Sequence, residues 1–171
     1  FKFKKKSVGA TGNVIMAAVR ADGITTINNA ACEPEIVDLC NFLKLLGVKI
    51  LGIGTSDLII EPSDKTISDI SYTIIPDRIE AGTFMIAGLM TKGNIQLDNI
   101  MVSHLENIIV KLRGAGAFIE IIDDNTINIK YDDRINSVNI NTTEYPGYPT
   151  DLQAQWMALM TLADGQSQII E

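Results

Sequence analysis

The chain has 171 residues, of which 46% are apolar and 20% charged, and its formal net charge is −7. That length suits one domain or two small lobes, and the composition is that of a folded, globular protein. The acidic balance argues against nucleic acid as a partner, because binding phosphates through surface charge needs a basic footprint, and no apolar run approaches the roughly 20 residues of a membrane span.

In chain order, FKFKKK reads as a strand with a solvated basic face, and SVGATGN as the junction from that strand into a helix. Small residues at such a junction let the backbone approach a ligand, and the first N–H groups of a helix attract an anion, with lysines adding charge. The same stretch also reads as an ordinary strand–helix junction, since no P-loop fingerprint is complete. Gly23 stops the helix, Ile24–Ile27 is a predicted strand, and an Asn turn follows. Glu33 and Glu35 flank Pro34 at the next helix start, where acids suit the dipole and proline lacks nothing. Leu39, Cys40, Leu43 and Leu46 continue the apolar stripe from Ile36, and Gly47 stands at the left-handed cap. Strands are predicted at Lys49–Gly52 and Leu58–Ile60.

The pattern then recurs with a period of roughly 70 residues, Gly93 matching Gly23 and Gly116 matching Gly47. Ser103 and Glu106 present a capping box for the matching helix. Strands follow at Ile119–Ile122 and Thr126–Ile129, joined by an Asp123-Asp124-Asn125 turn. A third copy starts at PTDLQAQW, with Gly165 after its helix. Each unit reads as βαβαββ, an α/β architecture built by repetition.

Two further stretches carry charge at places where chemistry is possible. In PDRIEAGTF, Asp77, Arg78 and Glu80 cluster between two copies, at a junction that is either a ligand site or an ion-paired helix cap. In YPGYPTDLQAQW, Thr150 and Gln153 fit a capping box, so spacing alone makes Asp151 a first-turn acid. Cys32 and Cys40 match no zinc spacing and are too few for a disulfide framework; as free thiols they point to a reducing, cytoplasmic setting. His104, the single histidine, leaves no zinc site built on several histidines. The chain lacks a signal peptide pattern, begins without Met and ends within a predicted strand, and so reads as an excerpt of something longer.

Taken together, SVGAT, EPEIVDL, PDRIEAGTF and YPGYPTDLQAQ resemble the UDP-N-acetylglucosamine 1-carboxyvinyltransferases, enolpyruvyl transferases that begin peptidoglycan synthesis. The resemblance runs along essentially the whole chain. It implies an inside-out α/β prism of repeated βαβαββ units, here incomplete, with residues 1–76 finishing one lobe and 77–171 beginning the other. It implies transfer of the enolpyruvyl group of phosphoenolpyruvate to the 3-hydroxyl of UDP-N-acetylglucosamine, with release of phosphate and without metal or organic cofactor. Asp151 matches the aspartate beside that hydroxyl and is the candidate base. Lys5, Ser7, Val8 and Gly9 match the stretch that binds the nucleotide diphosphate, and Glu33 and Asp77 match acids lining the cleft. A cytoplasmic monomer, with no nucleic acid or membrane partner, is the expected full-length state.

The chain also departs from the pattern. The family's reactive cysteine lies in a loop upstream of SVGAT, and neither Cys32 nor Cys40 matches it. Cys32 stands where members usually carry a basic residue, and Gly12 where an acid is common. The 171 residues are therefore expected to show no turnover alone. Two other readings are a 3-phosphoshikimate 1-carboxyvinyltransferase and a non-catalytic module that holds a sugar nucleotide.

Overall fold

The strand Asp57–Glu61 organises the first half of the chain. In order, the elements there are α1 (Val8–Ala18), β1 (Thr25–Asn28), α2 (Pro34–Leu45), β2 (Lys49–Leu51) and β3 (Asp57–Glu61). The last strand lies between the other two, antiparallel to both, in the order β1-β3-β2. Alternation explains its placement: Leu58 and Ile60 point inward and are fully buried, while Asp57 and Ile59 are exposed. Ile15, Ile27, Cys40, Leu43 and Ile50 complete this core. Burying each such aliphatic side chain is worth about 1.5–3 kcal/mol. The basic start of the chain forms only one isolated parallel bridge, Lys2 to Asn28, and not the strand that the sequence predicts, so the unit's elements read α-β-α-β-β.

The computed structural model describes residues 1–64 and 69–171, and these form two units, Phe1–Ile75 and Pro76–Glu171, each with its own core. The second unit repeats the first: α3 (Arg78–Met90), β4 (Asn94–Leu97), α4 (Glu106–Gly114), β5 (Ala117–Asp123) and β6 (Thr126–Tyr131). Its sheet has the same order, β4-β6-β5, and is again antiparallel throughout. Its described residues show no strand just before α3. The third copy supplies β7 (Ile140–Asn141), α5 (Gln153–Met160) and β8 (Ile169–Ile170), with β7 and β8 paired in parallel. Here the βαβ part of the unit is explicit.

The turn chemistry repeats as well. Asn29 and Asn99 have φ of 60° and 57°, the left-handed region that asparagine tolerates best after glycine. Gly47 and Gly116, at φ 84° and 99°, end α2 and α4. At the end of α3 the left-handed residue is Lys92, φ 56°, rather than Gly93, whose N–H reaches back to the Gly88 carbonyl at 2.8 Å.

Both predicted capping boxes fail. Ser103 lies inside a 3-10 turn, Val102–His104, and α4 begins at Glu106 with no side-chain cap. Thr150 likewise lies in a 3-10 turn, Thr150–Leu152, and α5 begins at Gln153 without a side-chain cap. In each case the tight turn puts the hydroxyl residue too early to reach the helix's free N–H groups.

Within the first unit, the Tyr72 hydroxyl donates to the buried Asp38 carboxylate at 2.6 Å, which raises the phenol to about 12. In the second, Tyr148 is buried edge-on against Trp156, its ring centroid 5.5 Å away, and its hydroxyl has no hydrogen-bond partner among the described residues.

At Gly116 an added Cβ would lie 2.7 Å from the Arg134 carbonyl oxygen, on top of the left-handed φ. Gly116→Ala is therefore expected to destabilise the second unit by about 1–3 kcal/mol, measured as a lower urea midpoint; an unchanged midpoint would count against this geometry. Tyr148→Phe, which removes an unpaired buried hydroxyl, should leave that midpoint unchanged or raise it.

Candidate functional site

In the first unit the candidate residues gather at two helix starts. Ser7 caps α1, its side-chain oxygen accepting from the Ala10 N–H at 3.2 Å. The first intrahelical bond runs from Thr11 N–H to the Ser7 carbonyl, so the N–H groups of Val8 and Gly9 precede it. Lys5, Ser7, Val8 and Gly9 are all exposed, and a Cβ added at Gly9 would meet nothing within 4 Å. This combination of exposed N–H groups, a helix dipole and a lysine favours an anion.

Glu33 is at the start of α2 and only 6% exposed. Its carbonyl, not its side chain, caps that helix, accepting from Ile36 and Val37. The segment leading to it is fastened to α1: the Ala31 N–H donates to the Thr11 hydroxyl at 3.0 Å, and Thr11 is fully buried. The structure thus brings Ser7–Gly9 and Glu33 to adjoining helix starts. Thr11 went unsignalled, since a threonine in GATGN reads as helix filler. Gly12 leaves ordinary space, with Ile36 and Leu39 methyl groups 3.8 Å from where a Cβ would be.

The cysteines divide by environment. Burial pushes the Cys40 thiol up to about 11, so it is core packing. Cys32 is half-buried, its sulfur 3.6 Å from the Ala30 carbonyl oxygen.

In the second unit, Asp77 caps α3. Its Oδ1 accepts from the N–H groups of Ile79, at 2.7 Å, and Glu80, at 3.2 Å. Of the two readings of PDRIE, the helix cap is therefore present in the structure, with Asp77 and Glu80 also lining a solvent-open hollow beside Phe84, Asp98 and Ile100. Arg78 turns inward, 8% exposed, with its guanidinium 5.7 Å from the Tyr145 ring centroid.

Asp151 lies in the exposed middle of the 3-10 turn before α5. Its neighbour Leu152 is fully buried against Gly82 of α3, where an added Cβ would come within 2.5 Å of Leu152 Cδ1. Three residues on, the Gln155 amide donates to the Thr83 hydroxyl at 3.1 Å. These two contacts join α5 and its leading turn to α3, the helix that Asp77 begins. The loop before the turn is held too, by a hydrogen bond from the Asn107 side chain to the Pro146 carbonyl. Among the described residues, no group of three or more His, Cys, Asp or Glu is placed to hold a metal ion, and no helix is long and apolar enough to cross a membrane.

The family model for EPSP synthase (3-phosphoshikimate 1-carboxyvinyltransferase) matches residues 1–171. The chain belongs to that family. Among curated relatives, the UDP-N-acetylglucosamine 1-carboxyvinyltransferase of Rickettsia bellii is 51% identical over all 171 residues. The protein of that name from Orientia tsutsugamushi is 50% identical over the same length. The chain spans only 40% of the length of either relative. Of solved structures, an enolpyruvyl transferase from Streptomyces tendae superposes with a TM-score of 0.77 at 17% identity, covering 95% of this chain and 40% of that one. An EPSP synthase from Acinetobacter baumannii gives 0.63 at 18% identity, covering 99% and 39%. At such identities the likeness is one of fold. The fold class is accordingly α/β, the enolpyruvyl transferase prism of repeated units that the sequence predicts.

Two measurements on the full-length protein check this geometry. Asp77→Ala should lower stability by about 0.5–2 kcal/mol through the lost cap, whereas Asp77→Asn, an equally good capping residue, should not; equal losses in both would contradict the capping geometry. Alkylation under native conditions at pH 8 should modify Cys32 well before Cys40, and equal rates would show that Cys40 is not buried as described.

Proposed function

We propose that this chain is part of an enzyme that transfers the enolpyruvyl group of phosphoenolpyruvate to the 3-hydroxyl of UDP-N-acetylglucosamine. The observation that carries the reading is the 51% identity, over 171 residues, to a protein named as a carboxyvinyltransferase of that specificity. In this reading the first unit ends one lobe, near residue 76, and the second begins the other.

The reaction is an addition followed by an elimination. The sugar oxygen bonds to C2 of the enolpyruvyl group as its proton leaves, C3 gains a proton, and a tetrahedral intermediate forms. Loss of a proton from C3 and of phosphate from C2 then restores the double bond. Asp151 takes the hydroxyl proton: it is exposed, and it stands on a turn whose backbone is anchored by Leu152. The exposed N–H groups of Val8 and Gly9, the Ser7 cap and Lys5 hold the diphosphate. Glu33 and Asp77 take a supporting role toward the substrates, with Asp77 also capping α3. The substrates are small molecules, no cofactor takes part, and the full-length protein acts as a cytoplasmic monomer without nucleic acid or membrane partner.

The 3-phosphoshikimate specificity is the second reading, and it has the family description in its favour. Relatives at 51% and 50% identity that carry the sugar-nucleotide name outweigh that description in this reading.

In the full-length enzyme, Asp151→Asn should lower kcat by roughly 10²–10⁴-fold, the usual weight of acid–base catalysis, with little change in stability. A rate within threefold of the parent would remove Asp151 from the chemistry. The 171-residue chain alone should release no phosphate with both substrates present, and measurable turnover would overturn that expectation.

A further inference from the structure

The turn that carries Asp151 is anchored on its buried side by Leu152. On its exposed side the tether is a side chain from another element. The Thr150 hydroxyl, one residue before Asp151, does not cap α5; it donates to Oε1 of Glu171, just beyond β8. The other carboxylate oxygen of Glu171 accepts from the Thr142 hydroxyl at 2.9 Å. Thr142 is itself fixed, its N–H bonded to the Ile170 carbonyl at 2.9 Å as the β7–β8 ladder runs out. The adjoining Thr143 N–H bonds the Tyr148 carbonyl at 3.0 Å, at the foot of the loop that leads to Thr150. One carboxylate therefore ties the end of β7, the end of β8 and the first residue of the turn.

We propose that Glu171 is a positioning residue for Asp151. The inference rests on the reading of Asp151 as the base. Leu152 fixes where the turn sits, while its rotation about that buried anchor is limited by Thr150. A charge-assisted hydrogen bond to a carboxylate held by a second hydroxyl limits it well. Because Thr150, Asp151 and Glu171 are all exposed, the bond adds little to stability. Its effect falls on orientation, to which a proton transfer is sensitive: misplacement by about 1 Å can cost 10²-fold in rate.

The test uses the full-length enzyme with phosphoenolpyruvate and UDP-N-acetylglucosamine. Glu171→Ala should lower kcat by about 10–100-fold with KM and thermal midpoint nearly unchanged. Glu171→Gln, which keeps an acceptor oxygen, should recover most of that loss. Thr150→Val should reproduce it, and combining Thr150→Val with Glu171→Ala should add nothing further. In an Asp151→Asn background, Glu171→Ala should cost no additional rate. A Glu171→Ala rate within twofold of the parent overturns the proposal, as does a full additional loss in the Asp151→Asn background. If Asp151→Asn alone leaves the rate intact, the base reading fails first and this inference falls with it, a result distinct from either of the others.

Discussion

Leu152 enters the second core where α3 carries no side chain, and that close approach decides where Asp151 can be. A Cβ at Gly82 would stand 2.5 Å from Leu152 Cδ1 and 3.2 Å from Ile108 Cδ1. The helix and the turn can therefore meet side by side only across a glycine. The Gln155–Thr83 hydrogen bond extends the same contact by one helical turn. An exposed carboxylate is in this way fixed by a buried neighbour, which leaves it accessible without leaving it loose.

The first unit solves the same problem with a polar contact. Thr11, fully buried, accepts the Ala31 N–H and so joins the start of α1 to the segment before α2. An unpaired N–H at that depth would cost about 1–3 kcal/mol, so the bond specifies the packing as well as satisfying the backbone. Ser7 then holds the first turn of α1, with the Val8 and Gly9 N–H groups ahead of the first intrahelical bond. Cap, dipole and lysine act together at this one place, and none of them alone would make an anion site.

The repeat was legible because its markers are backbone requirements. Gly47 and Gly116 are needed where φ is 84° and 99°, and no periodic accident places two such glycines at matching helix ends. The strands at Leu58–Ile60 and Thr126–Ile129 were legible from their short apolar runs, and the structure adds which alternate residues turn inward. The capping boxes at Ser103 and Thr150 misled because the S/T-x-x-E/Q spacing records which groups are available, not whether the first turn is α or 3-10. Thr150 finds its partner 21 residues away, on Glu171, and no local pattern reports such a pairing. The same holds for Thr11 with Ala31, and for the parallel pairing of β7 with β8, whose two-residue strands are too short to advertise a register. Asp77 shows a different limit: the sequence offered a site residue or a cap, and its carboxylate makes the cap while lining a hollow.

Which acceptor takes the enolpyruvyl group decides the function. Phosphate release from phosphoenolpyruvate by the full-length enzyme, measured with UDP-N-acetylglucosamine and with shikimate 3-phosphate in parallel, separates the two. Turnover is expected with the sugar nucleotide, and with shikimate 3-phosphate a kcat/KM lower by at least about 10³-fold, since a site built to bond one acceptor's polar groups leaves its own groups unpaired with the other. Comparable turnover with both acceptors, or preference for shikimate 3-phosphate, would contradict the sugar-nucleotide reading.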